Sequence, residues 1–449
     1  MLQSFAVTNF RSFKDRQEVS FHATTDKSGA GTLLKHNDES YLRVLGLFGA
    51  NASGKSNLFK SMMVMRSVVL GKNSLGDPLP GMIPFRLDKK PKHETEFSIC
   101  VEIDGTEYDY SFSACPRRIH SETLYMKTPG GKRVLKYDRK STEHGKPTWD
   151  IKGIMSNEDA EFLKKRTRDN MLFLSRAADE NYEELGKLVL WFKSQLWIQD
   201  FSRSNDIWRA QTAQQMTSDE EFRRGVLTLL QDADFGISDI AIRNEPAPAL
   251  SFNVPPQMQN VAQASFSTMA VSSIGVTTIR KNAAGNPVQF NFLSDESNGT
   301  QRFFGLIGMV LRALNLGACV VIDEIDCSIH PLLVRKLVEM FNDSKSNPKG
   351  AQLLFATHDV SLLESRLLRR DQLWFAEKSS GGSTSLFSLY DFGKGDDKPR
   401  KNEAFLKNYL QGVYGAVSNF GPSLEDMDIP CVPAEDFGNA PIEQEREQF

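Results

Sequence analysis

A strand-like run, a glycine-rich loop and a helical pattern follow one another early in this chain. Residues 49–56 read Gly-Ala-Asn-Ala-Ser-Gly-Lys-Ser, which fully matches the phosphate-binding pattern G-x-x-x-x-G-K-[ST], and the strand-like run 43–48 leads directly into them. Gly49 and Gly54 let the backbone adopt positive φ and approach a phosphate closely. The loop amides and the N-terminus of a helix beginning near Lys55 would direct partial positive charge at it. The pattern therefore predicts an α/β fold with a nucleotide site.

The residues of this loop have separate expected roles. Lys55 is expected to neutralise the β- and γ-phosphates of ATP, and Ser56 to provide a ligand to Mg²⁺. Further nucleotide contacts are predicted for Gly49, Ala50, Asn51, Ala52, Ser53, Gly54 and Asn57. A chance glycine-rich turn before a helix is the alternative, and three more motifs in the order of a nucleotide site count against it.

A second informative segment ends in two acids. The apolar run 318–322 is typical of a buried parallel strand, and Asp323 and Glu324 follow it at the edge where open α/β sheets bind ligands. Asp323 is expected to hold Mg²⁺ through its water shell. Glu324 is expected to accept a proton from, or to orient, the water that attacks the γ-phosphate. A strand ending in Asp-Glu is by itself as often a cap or a surface pair, but the loop at 49–56 favours the catalytic interpretation.

Two further motifs flank the acidic strand. Residues 297–301 read Ser-Asn-Gly-Thr-Gln before an apolar helical run, and Ser297 and Gly299 at a helix N-terminus would form an anion site. Simple N-capping by Ser297 explains the bare motif equally well. The buried strand-like run 352–356 is followed by His358 at the same predicted edge. A lone histidine after a strand is usually structural, whereas this order of motifs predicts a functional one.

Length and composition bound the class of protein. A chain of 449 residues is longer than a single hydrophobic core usually accommodates, so two lobes or a large insertion are expected. The net charge of -3 gives no overall positive field that would attract nucleic acids, although it is compatible with a local basic patch. The five cysteines are scattered without C-x-x-C spacing, which predicts neither a disulfide framework nor a zinc site.

No targeting or membrane segment is predicted. The first residues lack a charged region followed by an apolar stretch, so no signal peptide is expected. The apolar stretch 303–322 is interrupted by Arg312, Asn315 and Gly317, and it favours a helix, a turn and a buried strand over a membrane span. The expected location is therefore cytoplasmic, with no membrane partner.

The remaining pattern predicts four regions. Residues 1–150 are expected to hold the phosphate-binding loop and β-hairpins, including one around Asp104-Gly105. Residues 151–285 are expected to be a mainly helical insertion with a Pro/Gln/Ser-rich flexible segment near its end, because apolar positions three and four apart recur between 157 and 231. Residues 286–395 would complete the first region, and residues 396–449 would form a C-terminal tail.

The order of these motifs resembles the head of ABC-type ATPases over residues 1–60 and 290–378. Residues 297–301 resemble the ABC signature, usually Ser-Gly-Gly-x-Gln, with Asn298 replacing its first glycine. Residues 352–358 resemble the switch strand, whose histidine contacts the γ-phosphate. The resemblance implies an α/β head with a mixed or parallel sheet, N-terminal β elements and a mainly helical insertion. It also implies ATP and Mg²⁺ as cofactors.

Such heads dimerise with ATP between the loop of one copy and the signature of the other, so the resemblance implies a homodimer or higher homo-oligomer. Three motifs narrow the resemblance to one group of such ATPases. The motifs are Asn-Phe-Arg-Ser-Phe at 9–13, Asp-Glu-Ile-Asp at 323–326 with His-Pro at 330–331, and Tyr-Leu-Gln-Gly-Val-Tyr-Gly-Ala at 409–416. They look like the bacterial RloA and AriA ATPases, relatives of the OLD proteins associated with phage defence. Residues 60–290 carry little that resembles these ATPases, and no equivalent of the ABC glutamine loop is identified.

Three classes of function compete. The resemblance implies an ATP-hydrolysing sensor or scaffold that assembles and controls a separately encoded effector, such as a toprim nuclease. An OLD-type nuclease would need an added metal-binding carboxylate module, and Asp396-Asp397 reads as a solvated charge cluster. An SMC-type DNA-repair ATPase would need a coiled coil longer than the two heptads found here. The first class is favoured, and nucleic-acid binding stays open.

Overall fold

A computed structural model gives the fold of most of the chain. It describes residues 1–26, 29–36, 39–71, 74–141, 147–200, 206–233, 235–245, 273–364, 367–393, 399 and 403–416. The predicted Pro/Gln/Ser-rich segment falls mostly outside these ranges, as does most of the region 396–449, including Asp396-Asp397. Within the described ranges, no helix is both long enough and apolar enough to cross a bilayer.

Strands and helices alternate over much of the chain. The strands are β1 Leu2–Thr8, β2 Gln17–Ser20, β3 Leu34–His36, β4 Glu39–Tyr41, β5 Val44–Phe48, β6 Thr95–Ile103, β7 Thr106–Cys115, β8 Arg118–Lys127, β9 Val134–Lys140, β10 Thr148–Ile151, β11 Leu196–Asp200, β12 Asp239–Glu245, β13 Ser273–Lys281, β14 Pro287–Asn291, β15 Cys319–Asp323, β16 Gln352–Ala356, β17 Leu373–Lys378 and β18 Thr384–Ser388. The described helices are α1 Lys55–Leu70, α2 Asn157–Arg166, α3 Phe173–Asp179, α4 Glu183–Ser194, α5 Asp206–Met216, α6 Glu220–Asp232, α7 Asn298–Leu316, α8 Pro331–Asn342 and α9 Phe405–Leu410.

A six-stranded sheet of order β11-β15-β16-β5-β17-β18 forms the core. All neighbours in it are parallel except β17 and β18. Strands β5, β15 and β16 are buried on both faces, which explains why their sequences are continuous apolar runs. Because the strands are parallel, β5, β15 and β16 end at one edge, and their following loops meet there. The predicted mixed α/β fold with a parallel core sheet is confirmed.

The two faces of the core sheet pack against different partners. Leu45 and Leu47 of β5 face a cluster that includes α1 and α4, whereas Val44 and Phe48 face a cluster that includes α7 and α8. This split follows from the alternation of side chains along a strand. The sheet is therefore the middle layer, as expected when helices cover both faces.

A seven-stranded antiparallel sheet of order β10-β9-β8-β7-β6-β1-β2 packs beside the core. The hairpins predicted for residues 1–150 include one formed by β1 and β2, and the predicted Asp-Gly hairpin corresponds to β6 and β7. Asp104 and Gly105 both adopt positive φ, 49° and 79°, as the two-residue hairpin turn requires. Both hairpin predictions are confirmed.

A buried ion pair joins this sheet to the helices that follow it. Glu122 on β8 and Arg139 on β9 lie 3.7 Å apart, and both side chains are inaccessible to solvent. Glu122 also accepts the backbone N–H groups of Phe173 and Leu174 at 2.6 and 2.9 Å, at the start of α3. A buried carboxylate needs such partners, because an unpaired one would cost several kcal/mol, about 3–5. The contacts therefore fix the position of α3 against β8.

The segment between the two halves of the core contains strands as well as helices. Helices α2 to α6 occupy much of 157–232, as the spacing predicted, but β11 interrupts them and pairs in parallel with β15. Helix α4 ends at Ser194, so Leu196, which follows Phe192 at the helical spacing of four residues, lies in a strand instead. A short apolar run cannot be assigned to helix or strand by periodicity alone, and pairing with β15 decides it here. Strands β12, β13 and β14 form a separate antiparallel sheet.

Candidate nucleotide site

The loops at the C-terminal edge of the core sheet enclose a cleft of about 410 Å³. Its lining brings together the loop after β5, the acids that end β15 and the residues after β16. The first of these lies more than 250 residues before the other two in sequence. The lining residues are Asn51, Ala52, Ser53, Gly54, Lys55, Ser56, Asn57, Lys60, Asp323, Glu324, Ala356, Thr357, His358 and Lys378. The geometry thus gathers most of the residues predicted for ATP.

The loop between β5 and α1 approaches its neighbours too closely for larger residues. Gly49 and Gly54 adopt φ of 147° and 110°. A Cβ at Gly49 would lie 2.4 Å from the Ala376 carbonyl oxygen, and one at Gly54 would lie 2.3 Å from Thr384 Oγ1. Glycine is therefore required at both positions by backbone conformation and by space. Helix α1 begins at Lys55, so its free N–H groups face the cleft end of the loop.

Lys55 folds over this loop. Its Nζ donates to the carbonyl oxygens of Gly49 at 2.7 Å and Ala50 at 3.1 Å. Burial lowers the pKa of Lys55 from 10.5 to about 8, and the nearby carboxylates of Asp323, Asp326 and Glu324 act in the opposite direction. The ammonium thus lies in a desolvated place where a polyphosphate would favour its charged form.

Asp323 and Glu324 stand at the end of β15. Asp323 is buried, whereas Glu324 is half-buried and adopts φ of 53°. That conformation is unfavourable for a residue with a side chain, and such strain clusters at functional sites. The Ser56 hydroxyl and the Asp323 carboxylate both line the cleft. Because Mg²⁺ prefers hard oxygen ligands, this donor set fits the metal predicted from sequence.

His358 lines the same cleft as Lys55. Its backbone N–H donates to the Asp326 carboxylate at 3.3 and 3.4 Å, which ties the loop after β16 to the loop after β15. Burial and the charge of Lys55 lower the pKa of His358 below 6.5, while Asp326 and Glu324 raise it less. The imidazole is therefore mainly neutral at pH 7.

The predicted signature residues lie elsewhere. Ser297 caps α7, with its Oγ accepting the N–H of Thr300 at 3.1 Å, and a Cβ at Gly299 would lie 2.7 Å from the Ser328 carbonyl oxygen. Neither Ser297 nor Gly299 lines the cleft of the same chain. The capping interpretation is correct for the isolated chain, and an additional role for this pair in nucleotide binding would need a second copy.

Four cleft-associated residues were missed by sequence reasoning. Ser12 Oγ accepts from Asn57 Nδ2 and from Thr384 Oγ1, each at 2.8 Å, and Thr384 Oγ1 also lies 2.7 Å from the Ser53 carbonyl oxygen. Lys60 and Lys378 add two amines to the lining. The Asn-Phe-Arg-Ser-Phe motif includes Ser12, but the sequence assigned no role to this residue. Lys60 follows Ser56 by one turn of α1, although no motif marks it, whereas strand pairing brings Lys378 and Thr384 to the cleft.

Comparison with known proteins agrees with this geometry. The sequence profile of the family described as "AAA domain, putative AbiEii toxin, Type IV TA system" matches residues 44–364, and the chain belongs to this family. The fold and the cleft thus define a P-loop ATPase of the AAA type, for which ATP is the expected ligand. No curated protein matches the sequence.

Many solved structures resemble the chain, and 75 solved chains match it. One of them is entitled "Structure of the recombination mediator protein RecF-ATPrS in RecFOR pathway". It shares 12% sequence identity, covers 86% of this chain and 98% of its own, and has a TM-score of 0.30. A TM-score this low defines neither the fold nor the function of this chain.

Proposed function

We propose that this protein is a Mg²⁺-dependent ATPase that controls a separately encoded effector in bacterial anti-phage defence. The observation that carries the enzymatic part is the single cleft lined by Lys55, Ser56, Asp323, Glu324 and His358. These side chains offer a cation, two metal-ligand oxygens, a base and an imidazole. That set matches the requirements of phosphoryl transfer to water, where positioning and charge stabilisation dominate.

Each residue has a defined task in this proposal. Lys55 leaves the carbonyl oxygens of the loop and binds the β- and γ-phosphates, while the loop amides and the start of α1 bind phosphate oxygens. Ser56 and Asp323 would hold Mg²⁺, which neutralises charge on the phosphates when bound. Glu324 orients the attacking water and accepts its proton. Neutral His358 donates a hydrogen bond to the γ-phosphate.

The proposal includes a second copy of the chain. Ser297 and Gly299, at the N-terminus of α7, would bind the γ-phosphate held by a neighbouring copy, since they lie outside the cleft of their own. Two copies related by a two-fold axis would then form two identical composite sites. The active species would be a homodimer or a higher homo-oligomer.

The biological part of the proposal has its own support and a direct test. Its support is the sequence resemblance to the RloA and AriA ATPases, together with a family description that names a putative toxin and a toxin–antitoxin system. A partner would bind through residues 60–290 or the C-terminal region, and ATP would control it by changing its affinity. Affinity purification of the tagged protein with products of neighbouring genes should recover one such partner, and wild type and Glu324→Gln should differ in how much they retain.

Two alternatives belong to other classes, namely an OLD-type nuclease and an SMC-like repair ATPase. The separating experiment incubates the highly purified single chain with ATP, Mg²⁺ and either DNA or RNA. The proposal predicts ATP hydrolysis without strand cleavage. Cleavage that persists in Lys55→Ala and is abolished by carboxylate changes outside the cleft would establish the nuclease. DNA-stimulated ATPase activity without any effector would favour the repair ATPase.

A further inference from the structure

A basic segment, residues 86–93, lies at the surface between α1 and β6. It carries four exposed basic side chains, Arg86, Lys89, Lys90 and Lys92. Its acid, Asp88, pairs with Lys14 at 3.1 Å. Among the described residues, the four basic side chains have no ion-pair partner. Such a cluster of uncompensated like charges attracts an anionic segment.

The basic segment is held in one conformation by Asn9. This buried residue adopts φ of 53°, and its Oδ1 accepts the N–H of Phe85 at 3.1 Å. Its Nδ2 donates to the carbonyl oxygens of Lys92 at 3.0 Å and Glu94 at 2.7 Å. Both ends of the segment are thus fixed by one side chain. A preorganised surface loses less entropy when it binds a partner.

The C-terminal part of the described chain lies by the same hairpin as the basic segment. A Cβ at Gly415 would lie 2.6 Å from Glu377 Oε1. Glu377 is near the end of β17, just before the β17–β18 connection. In that connection, a Cβ at Gly382 would lie 2.4 Å from Leu87 Cδ1 of the basic segment. Residues following Ala416 therefore start from a hairpin that the basic segment also contacts.

Residues 417–449 are strongly acidic. They hold eight carboxylates against a single arginine, a net charge of -7. The carboxylates are those of Glu425, Asp426, Asp428, Glu435, Asp436, Glu443, Glu445 and Glu447. Apolar residues such as Leu424 and Ile429 are interspersed with them. The composition thus complements a basic surface that also offers an apolar contact.

We propose that the basic segment 86–93 is the docking surface for the acidic segment 417–449 of the same chain. The carboxylates pair with Arg86, Lys89, Lys90 and Lys92, and an interspersed apolar side chain covers Leu87, which is 70% exposed. The nine residues from Ala416 to Glu425 span up to about 30 Å when extended, so the first acids can reach the surface. The docked segment would also exclude nucleic acids from these charges.

Zero-length cross-linking of amines to carboxylates in the full chain, read by peptide mass spectrometry, tests the proposal. The expected links join Lys89, Lys90 or Lys92 to acids between 425 and 447, and they disappear at high salt because exposed pairs are screened. Lys132 and Lys136 are the matched control amines, since they lie at the opposite end of the β6–β7 hairpin, by Ile103. Equal linking of the tail acids to the control lysines would overturn the proposal.

A variant and an isotope mixture sharpen the test. Arg86→Gln removes one charge but no cross-linkable amine, so the links at the three lysines should fall about two- to fivefold. Arg133→Gln removes a charge near the control lysines and should leave the links at Lys89, Lys90 and Lys92 unchanged. With a mixture of ¹⁵N-labelled and unlabelled protein, the links should join peptides of the same label. In an equal mixture, docking between copies would make about half of the linked pairs mixed in label, and that result would contradict docking within one chain. Protection of these lysines by added DNA alone would assign the surface to nucleic acid.

Discussion

The carboxylate of Asp326 accepts the backbone N–H of His358, at 3.3 Å from Oδ2. This contact joins the loops that follow two adjacent parallel strands, β15 and β16. It sets the position of His358 relative to Glu324, whose loop begins at the same strand end. The two groups proposed to act on the γ-phosphate and on the water therefore lie on loops that this carboxylate joins.

Replacing Asp326 separates its contact from its charge. Asp326→Asn keeps an oxygen acceptor and should retain most ATPase activity, whereas Asp326→Ala should lower kcat about fivefold by freeing the His358 loop. Both changes remove a negative charge that raises the pKa of His358, so both should lower that pKa further. An NMR titration of the His358 ring, assigned by difference from His358→Gln, measures this. A rise in pKa in either variant would contradict the geometry.

ATP affinity should depend on pH through Lys55. The pKa of Lys55 is lowered to about 8 in the nucleotide-free protein, and ATP favours the charged ammonium. Below pH 8 the lysine is already protonated, whereas above it binding must also take up a proton, so affinity should fall by up to about tenfold for each pH unit above 8. Titration calorimetry between pH 7 and 10 checks this. Lys55→Ala should bind weakly with a flat profile, and an unchanged slope in that variant would assign the proton to another group.

A mixing experiment tests the composite site. Lys55→Ala lacks the phosphate cation, and Gly299→Asp places a carboxylate where an anion should bind, so each homo-oligomer should be inactive. Mixed oligomers hold some sites with an intact loop and an intact Ser297–Gly299 pair, so ATPase activity should partly recover. Native mass spectrometry must show that mixed species form. Their formation without recovery would leave Ser297 as a helix cap only.

The contact between Gly54 and Thr384 predicts how the loop responds to added bulk. Gly54→Ala would place a Cβ 2.3 Å from Thr384 Oγ1 and should abolish ATP binding. Gly130→Ala is the matched control, because Gly130 also has positive φ, 69°, but no atom within 4 Å of an added Cβ. It should lower stability by about 1 kcal/mol and leave binding unchanged. Gly54→Ala/Thr384→Ser keeps the hydroxyl oxygen and should stay unable to bind ATP. Thermal denaturation with and without ATP measures this, and restored binding in the double variant would contradict the Oγ1 clash as the cause.

The order of strands and motifs was predictable because local signals define it. Apolar runs ending at Phe48, Asp323 and Ala356 predict three buried strands, and parallel pairing makes their ends meet at one edge. The Asp104-Gly105 turn was also predictable, because Asp-Gly is the dipeptide preferred where a two-residue hairpin turn requires positive φ. Most of the cleft therefore followed from sequence.

The rest depends on pairing between distant segments. Strand β11 has a pattern that continues the helical stripe, and only its pairing with β15 makes it a strand. Thr384 and Lys378 reach the cleft because β17 pairs with β5, more than three hundred residues earlier. A single sequence carries no signal for such contacts, since they depend on the order of strands in the sheet.

Glu324 is proposed as the base of a cleft that binds ATP through Lys55. The decisive measurement is single-turnover ATP hydrolysis by rapid quench, made together with ATP affinity, for wild type, Glu324→Gln and Lys55→Ala. Glu324→Gln should bind ATP as tightly as wild type and hydrolyse it at least about a hundredfold more slowly, since it keeps the side-chain shape and loses the base. Lys55→Ala should lose affinity. Equal hydrolysis rates in wild type and Glu324→Gln would contradict the claim.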